Sequence, residues 1–498
     1  MVKMKAKEKV QGVNDSSGTV PDEQLDHEEE PRRRRSGRRG RPRDERPYIR
    51  DVGRAPAGVV DVVTVTVGMV VLALAVGFAI GFLVFLVMNL STWLTARLWG
   101  GYMEGNAPFA FFPVVICTLG GLVIGAWTYF SGNRISSLEE VMVEFRQTGN
   151  YDLGGAGKAT VSFLLPLVFG GSIGFEAGLT GIITGACCWI RDKLKQAGLR
   201  EAAVADVTIA ASLAAIFGAP FAGIVAGAES APRDGDDDFS EPGIDDVNMR
   251  RSTKIVLYTA AAFGAFAGIK VFSGLFGVSD GFPRFDSIGA DGLGFLWGLA
   301  ALVAGYVLVL VYFGSQCLFA NVAVRAGDGM AGAIIKPVIA GFVLGICAMA
   351  FPYVMFPGET QCHELMATWG AWGAFALVMT GLLKAFATPM CIRMGWVGGN
   401  FCPSIFAGAA VGYGLATLTG ADPVLMVTIA VTTFLAGVIR KPLLAVAILL
   451  LCFPAEGIVW MGLAAVIGSL LPVPPVLLGE RQIGKVPAAP FDAEQPHR

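Results

Sequence analysis

Charge is scarce in this chain. Asp, Glu, Lys and Arg make up 16% of its 498 residues, and 15 of the 38 Lys and Arg residues fall before position 55. Globular chains carry about 25% charged residues, so the rest of this sequence is too apolar for a soluble enzyme. Histidine is scarcer still: His27 and His497 lie in the tails and His363 in a presumed loop. That excludes a histidine metal centre and a His-based nucleophilic triad. The nine cysteines show no metal-ligand spacing, and the only close pair is Cys187-Cys188. Most sit in apolar segments, where a cysteine acts as a small hydrophobe. No metal, no cofactor and no enzymatic activity are implied. Tyrosine is absent after Tyr413.

Hydrophobic residues, by contrast, reach 54%, and there are 65 glycines. The glycines follow no three-residue period, which excludes a collagen-like chain. They suit close helix contacts and broken helices in lipid. Apolar runs cover residues 59–90, 109–130, 293–311 and 337–355, and several reach the ~20 residues needed to cross a bilayer. Others, such as 404–419, are shorter and imply helices that cross part of the membrane. Backbone groups in lipid must be satisfied within the protein, so the fold class is all-α integral membrane.

The chain divides by composition. Residues 1–56 combine Glu28-Glu29-Glu30 with an arginine run at 32–35 and further arginines to Arg54, and read as a disordered, charged tail. The tail has no apolar core or cleavage site of a signal peptide. Arginines beside the first membrane helix favour a cytoplasmic N-terminus; they fit anionic lipid better than nucleic acid. Residues 57–231 form a first membrane repeat, 232–250 a polar linker with Asp234 and Asp236-Asp237-Asp238, and 251–475 a second repeat. Residues 476–498 are a short cytoplasmic tail with no regulatory domain. In the second repeat, helices are expected near 254–276, 291–325, 332–355, 367–388, 404–419, 423–437, 442–453 and 457–471.

Two glycine-marked breaks occupy matching places in the two halves. Gly174-Phe175-Glu176-Ala177-Gly178 precedes Pro220 by 46 residues from its first glycine, and Gly399-Asn400-Phe401-Cys402-Pro403 precedes Pro442 by 43. Interrupted hydrophobic segments at corresponding positions of two halves point to an ion site in a transporter. A helix that begins at such a break offers bare N–H groups and the positive end of its dipole to an anion. Glu176 is the carboxylate inside one break, and intramembrane carboxylates are costly enough to be functional by default. The alternative is a carboxylate that merely stabilises its own helix start.

The run Lys384-x3-Thr388 followed by Gly395-Trp396-Val397-Gly398-Gly399-Asn400-Phe401-Cys402-Pro403 resembles the G-x-x-G-G-x-F-x-P segment of the CLC family of chloride channels and proton-coupled chloride exchangers. Gly174-Phe175-Glu176-Ala177-Gly178 is similar to that family's G-[KR]-E-G-P motif. Ala219-Pro220-Phe221-Ala222-Gly223-Ile224 is similar to its A-P-L-A-G-I, and Ile135-Ser136-Ser137-Leu138-Glu139-Glu140-Val141 to its G-S-G-I-P-E-V. Order and spacing agree over roughly residues 57–475. The resemblance implies two inverted-topology repeats of tilted, broken helices, a homodimer with one pathway per subunit, and an anion held where helix N-termini converge. It implies Glu176 as the gating glutamate and Ser136, Gly399, Asn400 and Phe401 as anion-binding residues, with Ser137 the register alternative to Ser136. Glu229 lies on a possible proton path, although the family's inner proton glutamate falls one position later, at Ser230. Lys336 and Lys384 either pair or snorkel, or attract anions generally. Phe175, Ala177, Ser230 and the missing late tyrosine depart from the pattern and lean toward passive or loosely coupled transport.

These readings make the chain a multi-pass protein of an inner (plasma) membrane with both termini cytoplasmic. Its partners are lipid, chloride or a similar small anion, and protons if coupled, but not nucleic acid. The rivals are a proton-coupled chloride or fluoride antiporter and a non-transporting membrane sensor or scaffold.

Overall fold

The computed structural model describes residues 59–106, 108–132, 156–176, 178–179, 182, 185, 251–277, 283–289, 294–327, 329–450 and 452–478. Ser136, Ser137, Pro220, Glu229 and Ser230 lie outside the described residues. The described elements are helices: α1 (Val59–Met103), α2 (Phe112–Ser131), α3 (Ala156–Val168), α4 (Arg251–Phe276), α5 (Gly294–Ala326), α6 (Met330–Ala350), α7 (Glu359–Thr368), α8 (Ala374–Arg393), α9 (Phe401–Thr419), α10 (Pro423–Ile439), α11 (Pro442–Leu449) and α12 (Ile458–Leu470). Seven of them are long and apolar enough to cross a membrane by length and composition.

Glycine sets the helix pairings. α2 runs along α6, and α1 along α4. At the first interface Gly121 lies against the Pro337 backbone and Gly125 against Ile334, while Gly341 and Gly345 of the opposite helix lie against the Cys117 and Val114 backbones. At the second, Gly77 and Gly81 face Ala261 and Ala265, and Gly264 and Gly268 face Leu74 and Phe78. A single Cβ at most of these positions would meet backbone atoms closer than real contacts allow. Small residues therefore substitute close backbone packing for the hydrophobic drive that lipid removes. Outward positions such as Leu86, Leu275, Leu299, Val303 and Phe342 stay exposed, as a lipid-facing surface requires.

α9 sits at the centre: every residue of 401–414 is buried, between α8 on one side and α10 on the other. Several sequence expectations shift. The helix expected over 332–355 ends at Ala350, because Pro352 opens a 3-10 turn through Val354. The short helix α7 then intervenes, so the helix expected from 367 begins at Ala374. α7 carries Glu359, Gln361, His363 and Glu364 and is too polar for a hydropathy reading to find; His363 is therefore helical, not in a loop. The helix expected from 404 begins instead at Phe401. Pro403 fits inside the first turn, where its missing N–H has no intrahelical partner to lose.

Candidate functional site

The two glycine-marked breaks meet. After α3, Gly170 adopts φ +86° and the chain folds back, with the Gly171 N–H donating to Pro166 O at 2.8 Å. After α8, Gly395 adopts φ +95° and the Trp396 N–H donates to Cys391 O at 2.9 Å. These positive φ values suit glycine, which has no Cβ to clash. Four residues beyond each turn, Gly174 and Gly399 pair as an isolated antiparallel bridge, exchanging two N–H···O bonds of 2.8 Å each. The repeat is thus Gly170/Gly174/Glu176 in one half and Gly395/Gly399/Phe401 in the other. Gly170 was not singled out in the sequence, although its four-residue spacing from Gly174 matches that of Gly395 from Gly399.

Glu176 is completely buried. Its Oε1 accepts the Cys402 backbone N–H at 2.7 Å, and its own N–H, the Cys402 thiol and the Phe401 N–H lie close to the carboxylate. The carboxylate therefore occupies the N-terminus of α9, a helix from the opposite half. It rests on the Cα atoms of both bridge glycines, where a Cβ on either would overlap its oxygens. N–H groups without an intrahelical partner and the helix dipole make this a seat for a carboxylate, the same chemistry that suits a small anion. Phe401 is buried beside it and Asn400 is half-buried at the helix start.

At Gly174 the atoms nearest an added Cβ are the Glu176 carboxylate alone, the mobile end of a flexible side chain. Gly174→Ala is therefore expected to push the carboxylate off its seat while leaving the fold intact. An overlap of this kind costs about 1–3 kcal/mol, so anion flux at neutral pH should rise roughly fivefold or more with an unchanged size-exclusion profile. An unfolded variant, or wild-type flux, would contradict this arrangement.

Support for the turn before Glu176 converges on Lys384. The Phe356 N–H donates to Gly170 O at 3.1 Å, and the Trp99 indole donates to Val168 O at 2.8 Å. Lys384 Nζ donates to the carbonyls of Tyr353, Met355 and Phe356 at 2.9, 2.8 and 2.8 Å, with Val354 O at 3.4 Å, and lies 4.8 Å from the Phe406 ring centroid. Its own carbonyl accepts from Thr388 Oγ1 at 3.0 Å, and Thr388 Oγ1 lies 3.2 Å from Ser172 Oγ. Lys384 is fully buried and pairs with backbone carbonyls, the pairing alternative of the sequence reading. Lys336 is half-buried on α6.

The structure thus brings Glu176, Gly399, Asn400 and Phe401 together. Ser172 and the Cys402 thiol were missed, because neither a lone serine nor a cysteine in an apolar run carries a sequence signal.

A bundle of apolar helices interrupted by paired glycine turns, with a buried carboxylate on the N-terminus of α9, defines an integral membrane protein built around a paired helix break. A family model described as voltage gated chloride channel matches residues 120–472, and the chain belongs to that family. Chloride channel protein CLC-f of Arabidopsis thaliana is 36% identical over 83 residues, which is 16% of this chain and only 11% of that protein. The fold is shared with a CLC-type fluoride/proton antiporter (TM-score 0.62, 15% identity, 83% of this chain and 96% of that one). It is shared equally with a slow cyanobacterial Cl-/H+ antiporter (TM-score 0.62, 18% identity, 82% and 96%).

Proposed function

We propose that the protein moves chloride or a similar small anion across an inner (plasma) membrane, with one pathway in each subunit of a homodimer and both termini cytoplasmic. The observation that carries this reading is the Glu176 carboxylate seated on the α9 N-terminus. A negative group held by backbone N–H donors there is replaceable by a free anion, and weak multi-site binding of this kind suits conduction. The N–H groups of residues 400–402 and the hydroxyl of Ser136 are the anion ligands in this reading, Glu176 is the gate, and Gly399, whose N–H donates to Gly174 O, lines the seat. Passive or loosely proton-coupled transport fits Ser230 at the inner position, with Glu229 as the nearest acidic group.

Proton-coupled exchange is the second reading, favoured by the same seat: a carboxylate that alternates with an anion is also able to carry a proton when displaced. Purified protein in liposomes distinguishes them. Chloride should leave down its gradient, and external pH should stay constant when only a chloride gradient is imposed. Uphill proton movement would reject the uncoupled form, and no flux of any halide would favour a sensor or scaffold. Glu229→Gln should leave anion flux intact.

A further inference from the structure

Asn400 occupies the N-cap position of α9 yet does not cap it. Asparagine is among the strongest N-cap residues, its side-chain oxygen ordinarily accepting the N–H of the second or third helical residue. Here the backbone has φ −116° and ψ −7°, and no side-chain capping bond forms. The third helical residue is Pro403, which has no N–H. The only ordinary capping donor left is the Cys402 N–H, and that is the group Glu176 Oε1 accepts at 2.7 Å. Asn400 and the anionic occupant of the seat are thus rivals for one N–H.

Two features keep the amide off that N–H in the conformation observed: the near-helical ψ of Asn400, outside the extended region usual for a capping residue, and a tether to Tyr312. Asn400 Nδ2 donates to the Tyr312 hydroxyl at 3.3 Å, which turns the amide away from the first turn of α9. Tyr312 is on α5, buried at 5% exposure in the cluster with Leu308, Phe434 and Val473. Its ring is held edge-on by Phe313 and Phe434, with centroids 5.6 and 6.2 Å away. A buried phenol packed on two aromatic faces is a fixed post, whereas the half-buried amide is the mobile member of the pair.

We infer that Tyr312 is a positioning residue for the anion seat: it holds the Asn400 amide off the Cys402 N–H, so that α9 stays uncapped and open to an anion. The inference rests on the α9 N-terminus being the anion seat. It makes Asn400 more than a source of a backbone N–H, since its side chain is a latent plug for the same site.

Tyr312→Phe keeps the ring and its packing but removes the hydroxyl. An asparagine cap contributes about 1 kcal/mol, so the freed amide should weaken chloride binding roughly three- to tenfold. Asn400→Ala added to Tyr312→Phe removes the plug and should return affinity toward wild type, a rescue that a purely structural role for the hydroxyl would not produce. Both are read by calorimetric titration of chloride into detergent-solubilised full-length protein and by the half-saturating chloride concentration for liposome flux. Unchanged affinity in Tyr312→Phe, or no recovery in the double variant, overturns the inference while wild-type flux leaves the transport reading standing. Wild-type binding without flux rejects transport but still tests the pair by calorimetry; wild type with neither overturns both.

Discussion

Glu176→Gln is expected to abolish the pH dependence of anion flux. The carboxylate competes for the Cys402 and Phe401 N–H groups most strongly when ionised, because a hydrogen bond to a charged acceptor contributes about 1.5–3 kcal/mol against about 1 kcal/mol for a neutral one. As pH falls, protonation weakens that hold, so wild-type flux should rise. Glutamine has the same shape, stays neutral, and accepts weakly at every pH. Its flux should be flat with pH and, at neutral pH, roughly two- to thirtyfold above wild type, given a difference of about 0.5–2 kcal/mol. Any proton movement coupled to the anion should vanish with it. Flux assays across an external pH series check this; a Glu176→Gln protein that keeps the wild-type pH slope would place the gate elsewhere. Gly174→Ala should move neutral-pH flux in the same direction while keeping a titratable carboxylate, which separates loss of the seat from loss of the charge.

Lys384→Met is expected to have the largest effect on stability. The ammonium is fully buried and hydrogen-bonded to three carbonyls at 2.9 Å or less. Methionine matches the stem but leaves those carbonyls dry, and each buried unsatisfied acceptor costs about 1–3 kcal/mol. Relaxation of the turn recovers part of that, leaving a loss of about 3–5 kcal/mol, the range for breaking a buried charged contact by removing one partner. Thermal unfolding in detergent, followed by size exclusion, should show a midpoint several degrees lower and reduced folded yield. Arginine should not rescue, because a planar fork does not fit a pocket shaped by Phe406 and four converging carbonyls. An unperturbed Lys384→Met would show that the turn at 353–356 holds itself. Because Phe356 bonds Gly170 and Thr388 links Lys384 to Ser172, any folded fraction should also show altered gating.

Much of this was legible along the chain. Apolar runs near the length of a bilayer fix helices as the only way to satisfy the backbone, whatever the tertiary arrangement. The breaks at Gly174 and Gly399 were legible as helix starts, whereas the turn at Gly170, which needs glycine for its φ of +86°, carried no signal of its own. Glu176 stands out because few carboxylates occur in such a run. α7 was hidden by its polarity, and the early start of α9 by the habit of reading Pro403 as a breaker when it sits comfortably in a first turn. Lys384 was ambiguous, since a lysine in an apolar helix reaches either the interface or a buried acceptor, and only neighbouring chain decides which.

By itself the sequence determined the class: a helical membrane protein with two matched breaks and a carboxylate inside the first, since composition and glycine placement act locally. The tertiary structure alone decided who meets whom. Gly174 pairs with Gly399, 225 positions later, so the Glu176 carboxylate meets the start of α9, and Tyr312 reaches Asn400 across 88 positions. Such contacts depend on how the helices pack, which their glycine faces set only once both partners are present.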